Sequence, residues 1–286
     1  GKYQAKEKGN RHTNPEYAAM TEDLDVGVGM ILDEIDRLGI ADNTYVIYTS
    51  DNGAIRGTDD GFTSNAPLNF GKPQTWEGGI RVPFIVRGPG VAENSWCHYP
   101  IVGHDLYPTF CEWAGIQDRV PDKVEGGSLV SALISGGQTE IRRSNPFLVF
   151  HFPHYVIKGG NKGTDARPQS AILIGDLKLM KLYEWEHPRL FDLSKDIGEQ
   201  NDLWKEMATR GEEMHATLQN YLIQVNAPMP LLNPNADMTV EEWVVWVQTG
   251  QRPENANESA GTLAVDPRAD FDASGEIDFA DFIGFV

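Results

Sequence analysis

Long apolar runs are missing from these 286 residues. No stretch approaches the ~20 apolar positions that a helix needs to cross a bilayer, so no membrane span is expected. Basic charge is scarce, with 24 Lys and Arg against 42 Asp and Glu, for a formal charge of -18. Nucleic acid is thereby set aside as a partner, because a phosphate backbone would meet net repulsion and no basic stripe offsets it. A smaller anion can still bind where a site carries local positive charge. Cysteine occurs only as Cys97 and Cys111, neither in a Cys-x-x-Cys pattern. They either pair in an oxidising compartment or stay as buried thiols, and the count does not decide the compartment. The chain opens GKYQAKEKGN, with neither Met nor a signal-peptide pattern, which reads as a processed start or a fragment. No long internal repeat is visible.

What is present reads as alternating helix and strand. In NPEYAAMTEDLDVGVGMILDEIDRLG the residues Tyr17, Met20, Leu24, Val28, Ile31, Ile35 and Leu38 recur at three- and four-residue steps, which predicts a helix with one apolar face. Asn14 suits its N-cap, Pro15 its first turn and Gly39 its end. TYVIYTS follows, β-branched and aromatic, and predicts a buried strand, so the opening unit is α/β. IRVPFIVRG predicts a second strand, which Pro83 demotes towards an edge or a bulge. VGHDLYPTFCEWAG and GGSLVSALIS read as helices. From Pro146 onward FLVFHF and SAILIGDLKLMKLYEW predict strands, the second a hairpin turning at Gly175-Asp176. A helix is expected across Leu203, Met207, Met214, Leu218, Leu222 and Val225.

Two short motifs carry the chemistry. Asp51 and Asn52 fall where the first strand ends, and ligand sites of open α/β sheets lie beyond the carboxyl ends of their strands. Their oxygens suit a hard cation such as calcium or magnesium, although Asp-Asn-Gly is also ordinary turn chemistry. Lys72 precedes Glu77-Gly78-Gly79 by a short spacer. A lysine ammonium can bind a sulfuryl or phosphoryl oxygen, and paired glycines permit close backbone approach. A solvated Lys and a structural Glu77–Arg81 pair would satisfy the same pattern.

In this order and spacing, Ser-Asp-Asn-Gly and Lys-x-x-x-x-Glu-Gly-Gly-x-Arg-Val-Pro resemble the sulfatase family of the alkaline phosphatase superfamily. The likeness runs from about Lys2 to Pro234, through NPEYAAMTEDLDVGVG, DNTYVIYTSDNG, HFPHY, GDLKLMKLYE and LFDLSKDIGEQNDL. It implies an α/β fold, the C-terminal part of an alkaline-phosphatase-like mixed sheet flanked by helices, with a smaller antiparallel α+β subdomain. It implies that Asp51 and Asn52 are ligands of an active-site calcium and that Lys72 contacts the sulfate group. The reaction implied is hydrolysis of a sulfate monoester to an alcohol and inorganic sulfate. Asn69 stands where many relatives place Arg, and Pro73 where Gly is common, so the lip of the pocket is expected to differ. The family's formylglycine nucleophile, made from a Cys/Ser-x-Pro/Ala-x-Arg motif, has no counterpart, because Cys97 begins CHYPI and Cys111 begins CEWAG. The upstream Asp pair, acid/base His and further Lys are absent too, so the chain reads as truncated at its N-terminus.

His151 and His154, at the end of a strand, are candidates for shaping the substrate pocket or are satisfied structural histidines. Tyr155 beside them is suited to stack on a sugar or aryl ring. In DFDASGEIDFAD, Asp270, Asp272, Ser274, Asp278 and Asp281 occupy positions 1, 3, 5, 9 and 12 of an EF-hand-like loop, with Glu276 giving its backbone oxygen. Ending in Asp, the loop resembles one dockerin repeat and implies a second calcium and a cohesin-like or surface partner. An acidic disordered tail is the plainer alternative. The expected organisation is 1–145, the C-terminal half of the catalytic α/β domain; 146–235, the smaller subdomain; 236–265, a helical extension and linker; and 266–286, the partial dockerin-like loop. Together these describe a secreted, periplasmic or cell-surface sulfatase acting on a sulfated small molecule or glycan. Its rivals are a phosphomonoesterase or phosphodiesterase of the same superfamily and a non-catalytic, calcium-dependent binding module.

Overall fold

The computed structural model describes residues 1–9, 11–55, 63–154, 156 and 166–230. Helix α1 (Pro15–Arg37) starts as its caps dictate. The Asn14 side chain accepts from Glu16 N at 2.8 Å and Tyr17 N at 3.0 Å, Pro15 takes the first turn, and Gly39 turns away at φ 66°. Strand β1 (Val46–Thr49) follows and pairs antiparallel with β2 (Phe84–Arg87), forming a two-stranded sheet. Pro83 sits just before β2, so its missing N–H costs the ladder nothing.

The expected burial of this opening unit is not found. Helix α1 has no buried residue, and Met20, Leu24, Ile31 and Leu38 stay exposed. Tyr48 in β1 and Ile85 in β2 are exposed as well. The sequence periodicity marks which face is apolar but not whether anything covers it. Among the described residues β1 has one strand neighbour, so its faces lack the layers that bury a central strand. An Arg87–Asp36 contact of 2.5 Å ties β2 to α1.

Beneath β2, a small core of Leu129, Ala132 and Ile141, in and around α4 (Val130–Ile134), receives Phe84 from β2, Leu106 from α3 (Leu106–Trp113) and Ile101 from the loop before it. Cys111 is buried in α3 and Cys97 is exposed, and both are free thiols.

The second layer is an antiparallel sheet in the order β3 (Leu148–Phe152), β4 (Gln169–Ile174), β5 (Leu177–Leu182), β6 (Arg189–Asp192). Gly175, at φ 60°, makes the expected two-residue turn of the β4–β5 hairpin. Strand β6 was not foreseen, because RLFD is too short to show a period. Helix α5 (Ala208–Gln224) packs Met214, Leu218 and Leu222 on Ile172, Leu179 and Leu190. It begins at Ala208, after turns that hold Leu203 and Met207, so the helix is shorter at its start than the periodicity suggests. The opposite face of the sheet carries Leu148, Ala171, Leu173, Met180, Leu182 and Phe191, which close on Trp76. Side-chain alternation thus gives the sheet one face towards α5 and one towards the loop before Glu77.

Candidate active site

Strand β1 ends at Thr49 and delivers Asp51 and Asn52 into a tight turn. Asp51 Oδ1 accepts from the Asn52 backbone N–H at 2.9 Å and from Ser50 Oγ at 3.3 Å. The Asn52 amide nitrogen donates to Gly53 O at 2.9 Å, a bond that does not use its Oδ1. The turn reading and the ligand reading of Asp-Asn-Gly are therefore compatible: turn bonds fix the pair and leave oxygens to present.

The second motif is joined to this turn through main chain. Gly53 N donates to Gly79 O at 2.8 Å, and Lys72 N donates to Ala54 O at 3.2 Å, with Ile55 and Lys72 bridged in parallel. Gly78 N donates to Asn69 O at 2.8 Å. Glycine is required here for space. A Cβ on Gly53 would lie 1.8 Å from Gly78 O, one on Gly78 2.3 Å from Asn69 O, and one on Gly79 1.8 Å from Gln74 O. So the Asp51–Asn52 turn and the Lys72 loop share one wall, and helix α2 (Glu77–Ile80) is its spine. Phe70, at φ 54°, and the cis Lys72–Pro73 bond shape the same loop, and Phe70 packs on Trp76 with ring centroids 5.0 Å apart. Departures Asn69 and Pro73 thus fall on this wall.

Behind the wall lies a buried ionic cluster that local sequence does not reveal. Lys178 on β5 is 1% exposed and reaches Glu77 Oε1 and Glu199 Oε1, each at 2.8 Å. Glu199 Oε2 accepts the Glu77 backbone N–H at 2.8 Å, and Arg81 Nε meets Glu77 Oε2 at 2.5 Å. Burial pushes the Glu77 carboxyl up, but Lys178 and Arg81 outweigh it and hold the group below the ordinary carboxylate range. For Glu199 burial wins over Lys178, and its carboxyl is raised. Glu199 sits at φ 51°, uncommon outside glycine, in a turn that Asp196 braces by accepting from Gln200 N at 2.8 Å and Asn201 N at 2.7 Å. The Glu77–Arg81 pair foreseen as structural is one edge of this cluster. The only advance signs were the charge inside the apolar run LKLMKL and the paired glycines after Glu77.

The two histidines part company. His151 is on the α5 face of the sheet. Its Nδ1 meets Ser170 Oγ at 2.6 Å and its Nε2 meets Pro228 O at 2.7 Å. A carbonyl requires a donor, so Nε2 carries the proton and Nδ1 accepts from Ser170. Burial lowers its pKa, opposed by the Pro228 bond. His154 stands edge-on to Phe152, ring centroids 5.3 Å apart. Phe152 shares its face with Leu148, the Trp76 side. The Ser170 and Pro228 bonds thus hold His151 on the α5 face, while the ring contact of His154 is with Phe152 and gives it no place relative to the wall. Tyr155 and the tail ligands Asp270, Asp272, Ser274, Glu276, Asp278 and Asp281 lie outside the described residues, as do the 236–265 extension and the 266–286 loop.

The described residues contain no cluster of three or more His, Cys, Asp or Glu placed to hold a metal. Asp51 and Asn52 fit part of a calcium shell in chemistry, since both offer hard oxygens, but calcium takes about 6–8 such ligands. No described helix is long and apolar enough to cross a membrane.

Comparison with known proteins bears on this geometry. Residues 1–116 match the sulfatase family, and residues 69–227 match the family described as N-sulphoglucosamine sulphohydrolase, C-terminal. A sulfatase of Formosa agariphila is 34% identical over 261 residues, covering 82% of this chain and 45% of that protein. A steryl-sulfatase of Rattus norvegicus is 34% identical over 155 residues, covering 49% of this chain and 26% of that protein. A solved protein in complex with its substrate D-glucosamine-2-N,6-O-disulfate superposes with a TM-score of 0.60 at 25% identity, over 76% of this chain and 41% of that one. The chain thus spans less than half the length of these relatives.

Proposed function

Because this chain belongs to the family described as N-sulphoglucosamine sulphohydrolase, C-terminal, and its residues 1–116 match the sulfatase family, we propose that it forms the C-terminal part of a calcium-dependent enzyme that hydrolyses a sulfate monoester to an alcohol and inorganic sulfate. The observation that carries this reading is the shared wall, in which main-chain bonds from Gly53 and Lys72 hold a hard-oxygen pair beside a lysine loop. Asp51 and Asn52 would hold the calcium together with ligands from beyond these residues. When bound, that cation supplies positive charge to polarise sulfuryl oxygens. Lys72 places its ammonium against the oxygens on which negative charge grows as the ester bond breaks. His154, which stands edge-on to Phe152, contributes to the pocket wall. No Cys or Ser of this sequence begins Cys/Ser-x-Pro/Ala-x-Arg, so the formylglycine nucleophile is supplied by residues other than these.

The substrate is a sulfated small molecule or glycan, met outside the cytoplasm. The relative bound to a disulfated glucosamine supports the sugar end of that range. A side-by-side assay of the full-length protein on an aryl sulfate and the matching aryl phosphate is the test. Sulfate turnover that is abolished by a calcium chelator supports the proposal. Phosphate turnover in its place assigns the chain to the phosphatase branch. No turnover of either leaves the non-catalytic calcium-binding module as the reading.

The tail is a separate proposal from sequence. Residues 266–286 bind a second calcium through Asp270, Asp272, Ser274, Glu276, Asp278 and Asp281, and serve to anchor the protein. A single loop should bind calcium at ~10⁻⁴ to 10⁻³ M, the range of extracellular modules. An NMR titration of this segment in which the Gly275 amide does not shift returns it to a disordered acidic tail.

A further inference from the structure

We propose that Lys178 is a positioning residue for Lys72, acting from the four-stranded sheet through Glu77 and Glu199. The inference rests on the proposed sulfatase site and adds a part to it.

Consider what fixes the height of the wall. Helix α2 is a single turn of four residues with two glycines, too short to hold its own geometry. Its first residue is instead clamped twice by the same cluster. The Glu77 main chain donates to Glu199, and the Glu77 side chain takes Lys178 on one oxygen and Arg81 on the other. From there the path to the site is all backbone. Gly79 O holds Gly53 N beside Asp51 and Asn52, while Asn69 O is held by Gly78 N at the base of the Lys72 loop. A shift of Glu77 moves both motifs at once.

The cluster is built for position rather than for reaction. Lys178 is 1% exposed and Glu199 3%, so neither can meet substrate. Glu199 adopts a left-handed backbone to reach Glu77, and Gly198 beside it approaches the chain so closely that a Cβ would lie 2.9 Å from Pro67 O. Next to it Thr75 Oγ1 and N both bond Gln169 Oε1, at 2.9 Å and 3.0 Å, the second buried polar link between sheet and loop. An apolar residue would fill the site of Lys178 at lower desolvation cost; what a lysine adds is a fixed distance to two carboxylates from separate segments.

Two variants in the full-length protein test this. Lys178→Met removes the link. Lys178→Met with Glu199→Gln also removes the charge imbalance, so that folding, checked by circular dichroism, is retained. Amide exchange is read at Gly53, Glu77 and Gly78, and kcat on an aryl sulfate in parallel. Exchange at these amides should rise at least about tenfold while α1 is unchanged, because the opening is local. The kcat should fall about 10²-fold with a smaller change in KM. Adding Lys72→Ala to either variant should cost little beyond Lys72→Ala alone, since both act on one group. Lys178→Arg should recover part of the loss. Unchanged exchange in a folded variant overturns the proposal, and so do losses that add to those of Lys72→Ala. If the wild type turns over no sulfate ester, the functional reading fails alone; the exchange data still decide whether Lys178 sets the wall.

Discussion

Lys72→Ala in the full-length protein should lower kcat/KM for a sulfate ester by ~10²-fold or more, since the proposed site sets the ammonium against charge that grows in the transition state. Steady-state kinetics on a folded variant check this, and unchanged kinetics would remove Lys72 from the site. A second residue-scale outcome concerns pH. Burial lowers the pKa of His151 in the fold against the Pro228 bond, and burial with nearby Lys181 lowers that of His215. The unfolded chain, with histidines near about 6.5, then binds more protons than the fold just below that pH. Stability is full above this value and is lost as pH falls towards the folded values. Thermal midpoints should drop between pH 7.5 and pH 5, and His151→Gln should flatten the slope. At this scale the sequence exposed Asp51, Asn52 and Lys72 because each lies in a short motif. It hid Lys178, whose partner Glu77 is 101 residues away. It left both roles of His151 open, because strand alternation decides the face and the HFPHY pattern alone does not say which face meets Trp76.

Among the elements, the turn at Gly53 against α2 gives the sharpest expectation. Gly53→Ala puts a methyl group 1.8 Å from Gly78 O, where both neighbours are main chain and neither can yield cheaply. Overpacking of this kind costs ~1–3 kcal/mol, which a shift of the urea midpoint measures. Gly27→Ala is the control. That glycine lies in α1 with open space around its Cβ, and the change should stabilise by about 0.5–1 kcal/mol. A Gly53→Ala midpoint equal to wild type would show that the wall is softer than its contacts imply. Elements with local determinants were legible: α1 from its Asn14 cap and period, and the β4–β5 hairpin from Gly175. Strand β6 escaped because its four residues pair only with β5, and β1 escaped in its burial because strand composition does not count its neighbours.

For the whole molecule, much of the apolar side of α1 and part of β1–β2 are left exposed. Met20, Ile31 and Ile85 are 67%, 60% and 62% exposed, and Leu24 and Met30 of α1 and Leu38 at its end are exposed as well. Patches of this kind mark interaction surfaces. The 286-residue chain alone should bind a dye for exposed apolar surface such as ANS, self-associate as concentration rises, and turn over no aryl sulfate with calcium in excess. The full-length protein should show neither dye binding nor self-association. Light scattering and fluorescence on the two proteins decide this. A monomeric, ANS-silent 286-residue chain would mean that this surface is stable in water by itself.

The clamp on Glu77 also has a consequence in time. Translation delivers Asp51, Asn52 and Lys72 long before Lys178 and Glu199, and chains begin to fold from the N-terminal side as they emerge. Until the β5 strand and the Glu199 turn have left the ribosome, only Arg81 and the short main-chain bonds hold Glu77, and the two motifs can meet only transiently. A nascent chain arrested before Glu199 should therefore leave the Gly53 and Gly78 amides open to exchange, however completely α1 has formed.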